Sequence, residues 1–243
     1  MNIKCLFQSP SLSRRRASAR PGRNATSKPS DITPGFTFKT SNLFAKNDES
    51  VMFGSDMAEV IILPEDYWVF DFTRGGDPDF ECPFPYQIGR YDEIRPGMYD
   101  QAIFEGKRDL HVGIDIGTPV GEPVHAFGAG IVHSLGVNDE PGSYGPTIII
   151  KHELDGKPIW ALYGHLSMES LQMVEQGMDI AEGQIIATVG DKSVNGGWEP
   201  HLHFQLSWDE PTGNDMPGVV ARDDRDWALE KFPDPRIVLG PIY

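Results

Sequence analysis

The sequence predicts an all-β fold, and three observations carry that prediction. From about residue 58 the chain runs as short apolar stretches separated by Gly, Pro, Asp and Asn, the punctuation of strands and turns. Where polar residues enter such a stretch they do so with a period of two, as in His201-Leu-His-Phe-Gln-Leu206, which puts polar side chains on one face and apolar ones on the other. Only residues 168–174 have the length and spacing of a short helix.

Taken in order, the expected strands are 60–63, 68–72, 112–116, 131–137 and 147–154, then 159–166, 184–190 and 201–208 after the helical segment. The stretch 174–190, VEQGMDIAEGQIIATVG, resembles the hairpin of lipoyl-type and sugar-permease IIA domains, in which a strand enters and leaves through Gly turns. Residues 58–107 read as a β extension that completes the core. The tail from Pro211, rich in Asp, Pro and Gly, reads as a loop wrapping back on that core. No repeat of fixed period is present.

Residues 1–50 differ in kind. They are rich in Ser, Arg, Pro, Asn and Lys, too polar to offset the entropy of ordering, and read as a disordered basic segment. Residues 1–30 carry seven Lys or Arg and no acid, which leaves 14 basic against 36 acidic residues in the rest of a chain whose net charge is −15. So acidic a body repels nucleic acid phosphates and anionic membrane surfaces, and no nucleic acid partner is expected. No apolar run approaches the ~20 residues of a membrane span. No secretory signal is visible, because an apolar stretch of ~7 to 15 residues would have to follow the positive charges. On that reading the chain is cytoplasmic unless another route takes it to the periplasm or wall. An organelle transit peptide would look similar, as would an upstream start, for which Met52 or Met57 would substitute. Two cysteines, Cys5 and Cys82, make neither a disulfide framework nor a thiolate metal site.

The chemistry lies in the histidines. Of seven, four sit in company: His111 with Asp115 four residues on, His165 in Tyr-Gly-His-Leu-Ser, and the pair His201 and His203. Strand parity puts His201, His203 and Gln205 on one face, and His111 and Asp115 likewise opposite Val112 and Ile114. Such a set suits Zn2+, which takes imidazole nitrogen and carboxylate oxygen. A catalytic zinc uses three protein ligands and keeps its fourth position for water, so two histidines remain over for proton transfer. The pair alone is as well explained by a solvated, hydrogen-bonded face, and only its company lifts the metal reading above that. His125, His133 and His152 lack such partners and read as packed or exposed on strands.

At these residues the chain resembles the M23 metallopeptidases, the lysostaphin and LytM-like peptidoglycan endopeptidases, over residues 108–210. The elements run in family order: His111-Val-Gly-Ile-Asp115, Gly117-Thr-Pro-Val-Gly-Glu-Pro-Val-His-Ala126, Gly128-Ala-Gly-Ile-Val132, Tyr163-Gly-His165-Leu-Ser167, Gly183-Gln184 and Pro200-His201-Leu-His203-Phe204. The resemblance implies an antiparallel sheet sandwich of the duplicated-hybrid-motif type with few short helices, in a domain spanning 58–243 with its core at 108–210. It implies zinc held by His111, Asp115 and His203, with His165 and His201 catalytic, and a peptide or peptidoglycan substrate. Two segments depart from the family: Asn195-Gly-Gly-Trp-Glu-Pro200, near the cleft, and Gly145-Pro-Thr147. With Gly89-Arg-Tyr-Asp92 and Arg95-Pro-Gly-Met-Tyr99, they resemble a subgroup that also occurs fused to enzymes or transporters, so a partner or fused enzyme belongs among the expectations.

The leading function is therefore zinc endopeptidase chemistry through an activated water. Two alternatives stay open at this point: a non-catalytic LytM-like regulatory or binding module, as in relatives that have lost ligands, and a histidine phosphocarrier of the sugar-permease IIA type. The Asp115 ligand and the His-x-His arrangement fit the phosphocarrier poorly.

Overall fold

The computed structural model describes residues 57–243, so the expectations for residues 1–50 and for Met52 lie outside the described residues. The strands are β1 (Trp68–Val69), β2 (Gln87–Gly89), β3 (Glu93–Ile94), β4 (Arg108–His111), β5 (Ile114–Gly117), β6 (Pro123–His125) and β7 (Gly130–Asn138). They continue as β8 (Gly145–Leu154), β9 (Lys157–Gly164), β10 (Asp179–Ile180), β11 (Ile185–Thr188), β12 (His201–Ser207) and β13 (Val219–Ala221). The large sheet has the order β1-β2-β5-β12-β9-β8-β7-β10, beside a pair β11-β6 and a triplet β13-β4-β3. Every pairing is antiparallel except that of β1 with β2.

Alternation explains how one sheet serves two cores. On β8, Ile148 and Ile150 enter the main core while Ile149 enters a second one; on β9, Ala161 and Tyr163 go one way and Trp160 and Leu162 the other. Strands buried on both faces read as unbroken apolar runs. Residues 155 and 156, Asp-Gly, close the β8–β9 hairpin with φ of 51° and 74°, the left-handed pair that a two-residue hairpin turn requires and that Asp-Gly supplies. On β12 the main core takes Leu202, Phe204 and Leu206. His201, His203 and Gln205 are therefore left on the opposite face, buried but polar.

Several segments differ from their sequence expectation. Residues 60–63 form no ladder, although Val60 and Ile61 are buried and the Val60 carbonyl accepts from the His125 amide. The expected strand 112–116 is the junction of two strands in different sheets. Residues 168–174 give a 3-10 turn, Met168–Gln172. The tail does wrap back, but it holds β13, α1 (Arg225–Lys231) and α2 (Arg236–Leu239). Phe232, the residue that follows α1, and Val238 of α2 reach the cores, and Tyr91 Oη donates to the Phe232 carbonyl at 2.6 Å. Among the described residues no helix is long and apolar enough to cross a membrane.

Candidate metal centre and cleft

The chain leaves the small sheet at His111, the last residue of β4, and joins the large sheet at Ile114. Between them Val112 donates its amide to the Gly218 carbonyl at 3.0 Å. Asp115 then lies directly opposite His203 in the β5–β12 ladder, at the spacing where cross-strand side chains interact. His165 follows the last residue of β9 with φ of 61°. That left-handed conformation is uncommon for a residue with a Cβ and marks a site whose surroundings hold it in place. Two backbone bonds do so: the His165 amide donates to the Tyr144 carbonyl, and its carbonyl accepts from the Gly190 amide, both at 2.9 Å.

One donor atom each from His111, Asp115 and His203 lies within 4.8 Å of the others. His111 Nε2 is 3.2 Å from His203 Nδ1 and 3.2 Å from Asp115 Oδ2, and His203 Nδ1 is 2.9 Å from Asp115 Oδ1. Two ligands at zinc bond lengths in tetrahedral geometry stand about 3.3 Å apart, near the spacing of the two imidazole nitrogens and of each from one of the Asp115 oxygens, so the trio could hold a metal ion. The remaining ring atoms are committed in the sense that metal binding requires. His111 Nδ1 donates to the Arg90 carbonyl at 2.8 Å, which leaves the Nε2 lone pair for an ion. His203 Nε2 faces Gln205 Oε1 at 3.0 Å, and the Gln205 amide is turned by its own bond to the Pro217 carbonyl at 3.3 Å. That fixes the His203 proton on Nε2 and the lone pair on Nδ1.

His165 and His201 stand beside this trio with ring centroids 4.2 Å apart. Their Nδ1 atoms donate to the carbonyls of Asn195, at 2.9 Å, and Glu199, at 2.6 Å, which puts the lone pair on Nε2 in each. Burial, reinforced by His201 and His203, holds the His165 pKa well below the usual histidine value, and burial lowers that of His201 as well. Both rings are neutral bases at neutral pH. His111 is pushed down to about 4 by burial and by Arg95. Burial alone would raise the Asp115 carboxyl, but His111 and Arg95 more than reverse this and hold it well below the carboxylate range. With His111 neutral at neutral pH, the permanent charge beside Asp115 is the Arg95 guanidinium, whose Nη1 donates to Oδ2 at 2.7 Å.

All five residues singled out in the sequence therefore meet in one place. Glu93 and Tyr144 were not singled out, and Arg95 and Trp198 were noted only as members of the 95–99 and 195–200 segments, not as site residues. Arg95 is fully buried, and nothing in the pattern around an Arg before a Pro-Gly turn signals that. The trio and the two further histidines line a cleft together with the mutually packed rings of Tyr99, Phe104 and Trp198 and with the charged side chains of Arg108, Glu140 and Asp215. Trp198, from the departing Asn195–Pro200 loop, is thus part of the wall, with its ring centroid 6.0 Å from that of Tyr99. The other histidines lie elsewhere: His152 is buried against Phe127, and His133 sits 3.2 Å from Glu210.

The model of peptidase family M23 matches residues 109–215. A 96-residue stretch, 40% of this chain, is 35% identical to the DD-carboxypeptidase/endopeptidase Mpg of Neisseria meningitidis and covers 20% of that protein. A 101-residue stretch, 42% of this chain, is 32% identical to the peptidoglycan DD-endopeptidase ShyC of Vibrio cholerae and covers 21% of it. The chain thus spans about a fifth of the length of these curated relatives. Among solved structures, the catalytic domain of the prophage-encoded M23 protein EnpA from Enterococcus faecalis is 29% identical, with 60% of this chain and 94% of that one covered and a TM-score of 0.40. Residues 109–215, the segment that matches the model of peptidase family M23, contain all five of the side chains that converge on the cleft.

Proposed function

We propose that this chain is a zinc-dependent endopeptidase that hydrolyses peptide bonds in peptidoglycan stem peptides or cross-bridges. The observation that carries the reading is the trio His111, Asp115 and His203, whose donor atoms lie within 4.8 Å of one another while both histidines have their other ring nitrogen tied down. The substrate class rests on the names of the M23 relatives, DD-carboxypeptidase/endopeptidase and peptidoglycan DD-endopeptidase.

His111 through Nε2, His203 through Nδ1 and Asp115 through a carboxylate oxygen would hold the ion. When bound, zinc supplies Lewis acidity and lowers the pKa of water from 15.7 to about 7. His165 and His201 supply the proton chemistry. Each is a neutral imidazole with its proton on Nδ1 and its lone pair on Nε2, so one takes the proton of the attacking water. The imidazolium so formed then delivers that proton to the leaving amine nitrogen. While charged, it also stabilises negative charge developing on the scissile carbonyl oxygen. The Asn195 and Glu199 carbonyls hold the two rings to these tautomers. The aromatic wall of Tyr99, Phe104 and Trp198 keeps its part of the cleft dry and packs against substrate. The functional unit on this reading is 58–243 rather than the matched segment alone, because Arg90 and Arg95 support His111 and Asp115 from outside it.

The test is elemental analysis of purified protein beside the His203→Ala and His111→Ala variants, followed by digestion of cross-linked wall fragments. About one zinc per chain, lost in both variants, with cross-links cleaved by the zinc-loaded protein, is the expected result. Stoichiometric zinc in either variant overturns the ligand set, and intact cross-links under zinc loading overturn the activity.

A further inference from the structure

Behind the carboxylate of Asp115 a chain of alternating charges runs outward to solvent. Arg95 Nη1 donates to Asp115 Oδ2 at 2.7 Å and Arg95 Nε to Glu93 Oε2 at 3.0 Å. Glu93 Oε1 accepts from Arg90 Nε at 2.9 Å and from the Phe72 amide at 3.0 Å. Arg90 Nη2 reaches Asp71 Oδ1 at 2.8 Å, and the side-chain exposure falls from 44% at Asp71 to 3% at Asp115. Arg95 also donates to Tyr99 Oη at 3.0 Å and, through Nη2, to the Arg90 carbonyl at 3.1 Å. That same carbonyl accepts from His111 Nδ1, so one backbone oxygen ties together the supports of two of the three metal-facing residues.

We propose that Arg95, backed by Glu93, is a positioning residue of the metal centre. It holds Oδ2 of Asp115, which also lies 3.2 Å from His111 Nε2, and so fixes the rotation of the carboxylate that keeps Oδ1 at 2.9 Å from His203 Nδ1 and 3.8 Å from His201 Nε2. This rests on the zinc reading above and adds to it the device that holds the anionic ligand. The physical argument turns on two opposed effects. A bare guanidinium next to the site would repel a divalent cation, whereas an unsupported buried carboxylate would be free to rotate, to take up a proton or to bind through both oxygens. Glu93 removes the first problem, because the Glu93–Arg95 pair is neutral as a whole and still offers directed N–H groups. The second is removed by the fork itself. Lys cannot replace it, since Arg95 serves four acceptors from Nε and two Nη groups and an ammonium has three donors in all. The fit is close on the β2 side as well: a Cβ on Gly89 would stand 2.8 Å from Arg95 Nη2 and 3.1 Å from Asp115 Oδ2.

The experiment measures zinc affinity by chelator competition, and the visible spectrum of the cobalt(II)-substituted protein, for the full chain and its Arg95→Met, Arg95→Lys and Glu93→Gln variants. Arg95→Met is expected to bind zinc about 10–100-fold more weakly, as loss of a ligand's support does. Its cobalt absorption per ion should fall as the loosened carboxylate adds its second oxygen. Arg95→Lys and Glu93→Gln should fall between, the first with the charge kept and the fork lost, the second with the charge of Arg95 left uncompensated. A merely structural role would lower the melting temperature of the metal-free protein and leave affinity and spectrum at wild-type values, which overturns the proposal. If Arg95→Met does not fold, Arg95→Lys decides by the same two readouts. Wild-type protein that takes up neither zinc nor cobalt overturns the metal reading itself and this proposal with it.

Discussion

A Cβ added to Gly113 would stand 2.5 Å from both Cε1 and Nε2 of His203. The imidazole edge lies against the backbone at the point where the chain crosses from the small sheet to the large one, too close for any residue with a Cβ. Gly113→Ala must therefore push the ring off the bond between Nε2 and Gln205. Zinc binding at least about tenfold weaker is expected, with an overpacking cost of ~1–3 kcal/mol in stability. Chelator competition and urea unfolding of the same preparation separate the two effects. Unchanged zinc affinity in a folded variant would show that the His203 ring does not hold the ion.

The neutral pair His165 and His201 predicts a separation of binding from chemistry. Either residue changed to Ala should leave about one zinc per chain and lower the turnover of wall fragments by ~10²–10⁴-fold. The double variant should lose little more than the worse single one, because the two rings act on one proton. Losses that multiply in the double variant would mean that the rings act in independent steps.

How much of this could be read from the sequence follows from what each feature depends on. Strand parity alone brought out His201 and His203, because Leu202, Phe204 and Leu206 stand on the other face and fill the main core. The same rule applied to 112–116 found the right residues on a wrong premise, since His111 and Asp115 lie on different sheets and face each other across the break at Gly113. The helices of the tail were missed because α1 and α2 are too short to show a period, seven and four residues, and are held by Phe232 and Val238 packing on the cores. The burial of Arg95 beside the site was invisible for a related reason. A buried guanidinium is stable only where Asp115, Glu93, Tyr99 and a backbone carbonyl converge, and that convergence is tertiary.

Trp198 gives a prediction for the loop that departs from the family pattern. Its Nε1 donates to the Gly142 carbonyl at 3.1 Å, and the Gly142 amide donates to the Gly196 carbonyl at 3.0 Å. These bonds moor the loop whose Asn195 carbonyl orients His165. Trp198→Ala should cost ~3–5 kcal/mol as a large buried truncation and lower kcat by about tenfold or more through a displaced His165, with zinc retained. Trp198→Phe keeps the apolar wall and loses the mooring bond, so kcat should suffer more than KM. A Phe variant altered in KM alone would assign the residue to substrate contact only.

His152 sets an acid limit on stability that is independent of the cleft. Its Nδ1 donates to the Ala129 carbonyl at 3.1 Å, its Nε2 accepts from Tyr163 Oη at 3.4 Å, and its ring packs on Phe127. Burial pushes its pKa down to about 4, below the ~6.5 of an unfolded histidine. Between those values the unfolded chain binds the extra proton, so stability is full above about pH 6.5 and falls as the pH drops towards about 4. By about pH 4.5 this one residue should remove about 2 kcal/mol. His165 and His201 shift in the same sense, so the wild-type slope should exceed that of one proton. His152→Gln can still donate to Ala129 and accept from Tyr163 but cannot be charged. Urea unfolding at about pH 7 and about pH 4.5 should therefore show a wild-type loss larger than that of His152→Gln by about 2 kcal/mol. Equal losses in the two proteins would mean that the folded state tolerates a charged His152, with Tyr163 turning its proton away and the Ala129 carbonyl carrying the imidazolium.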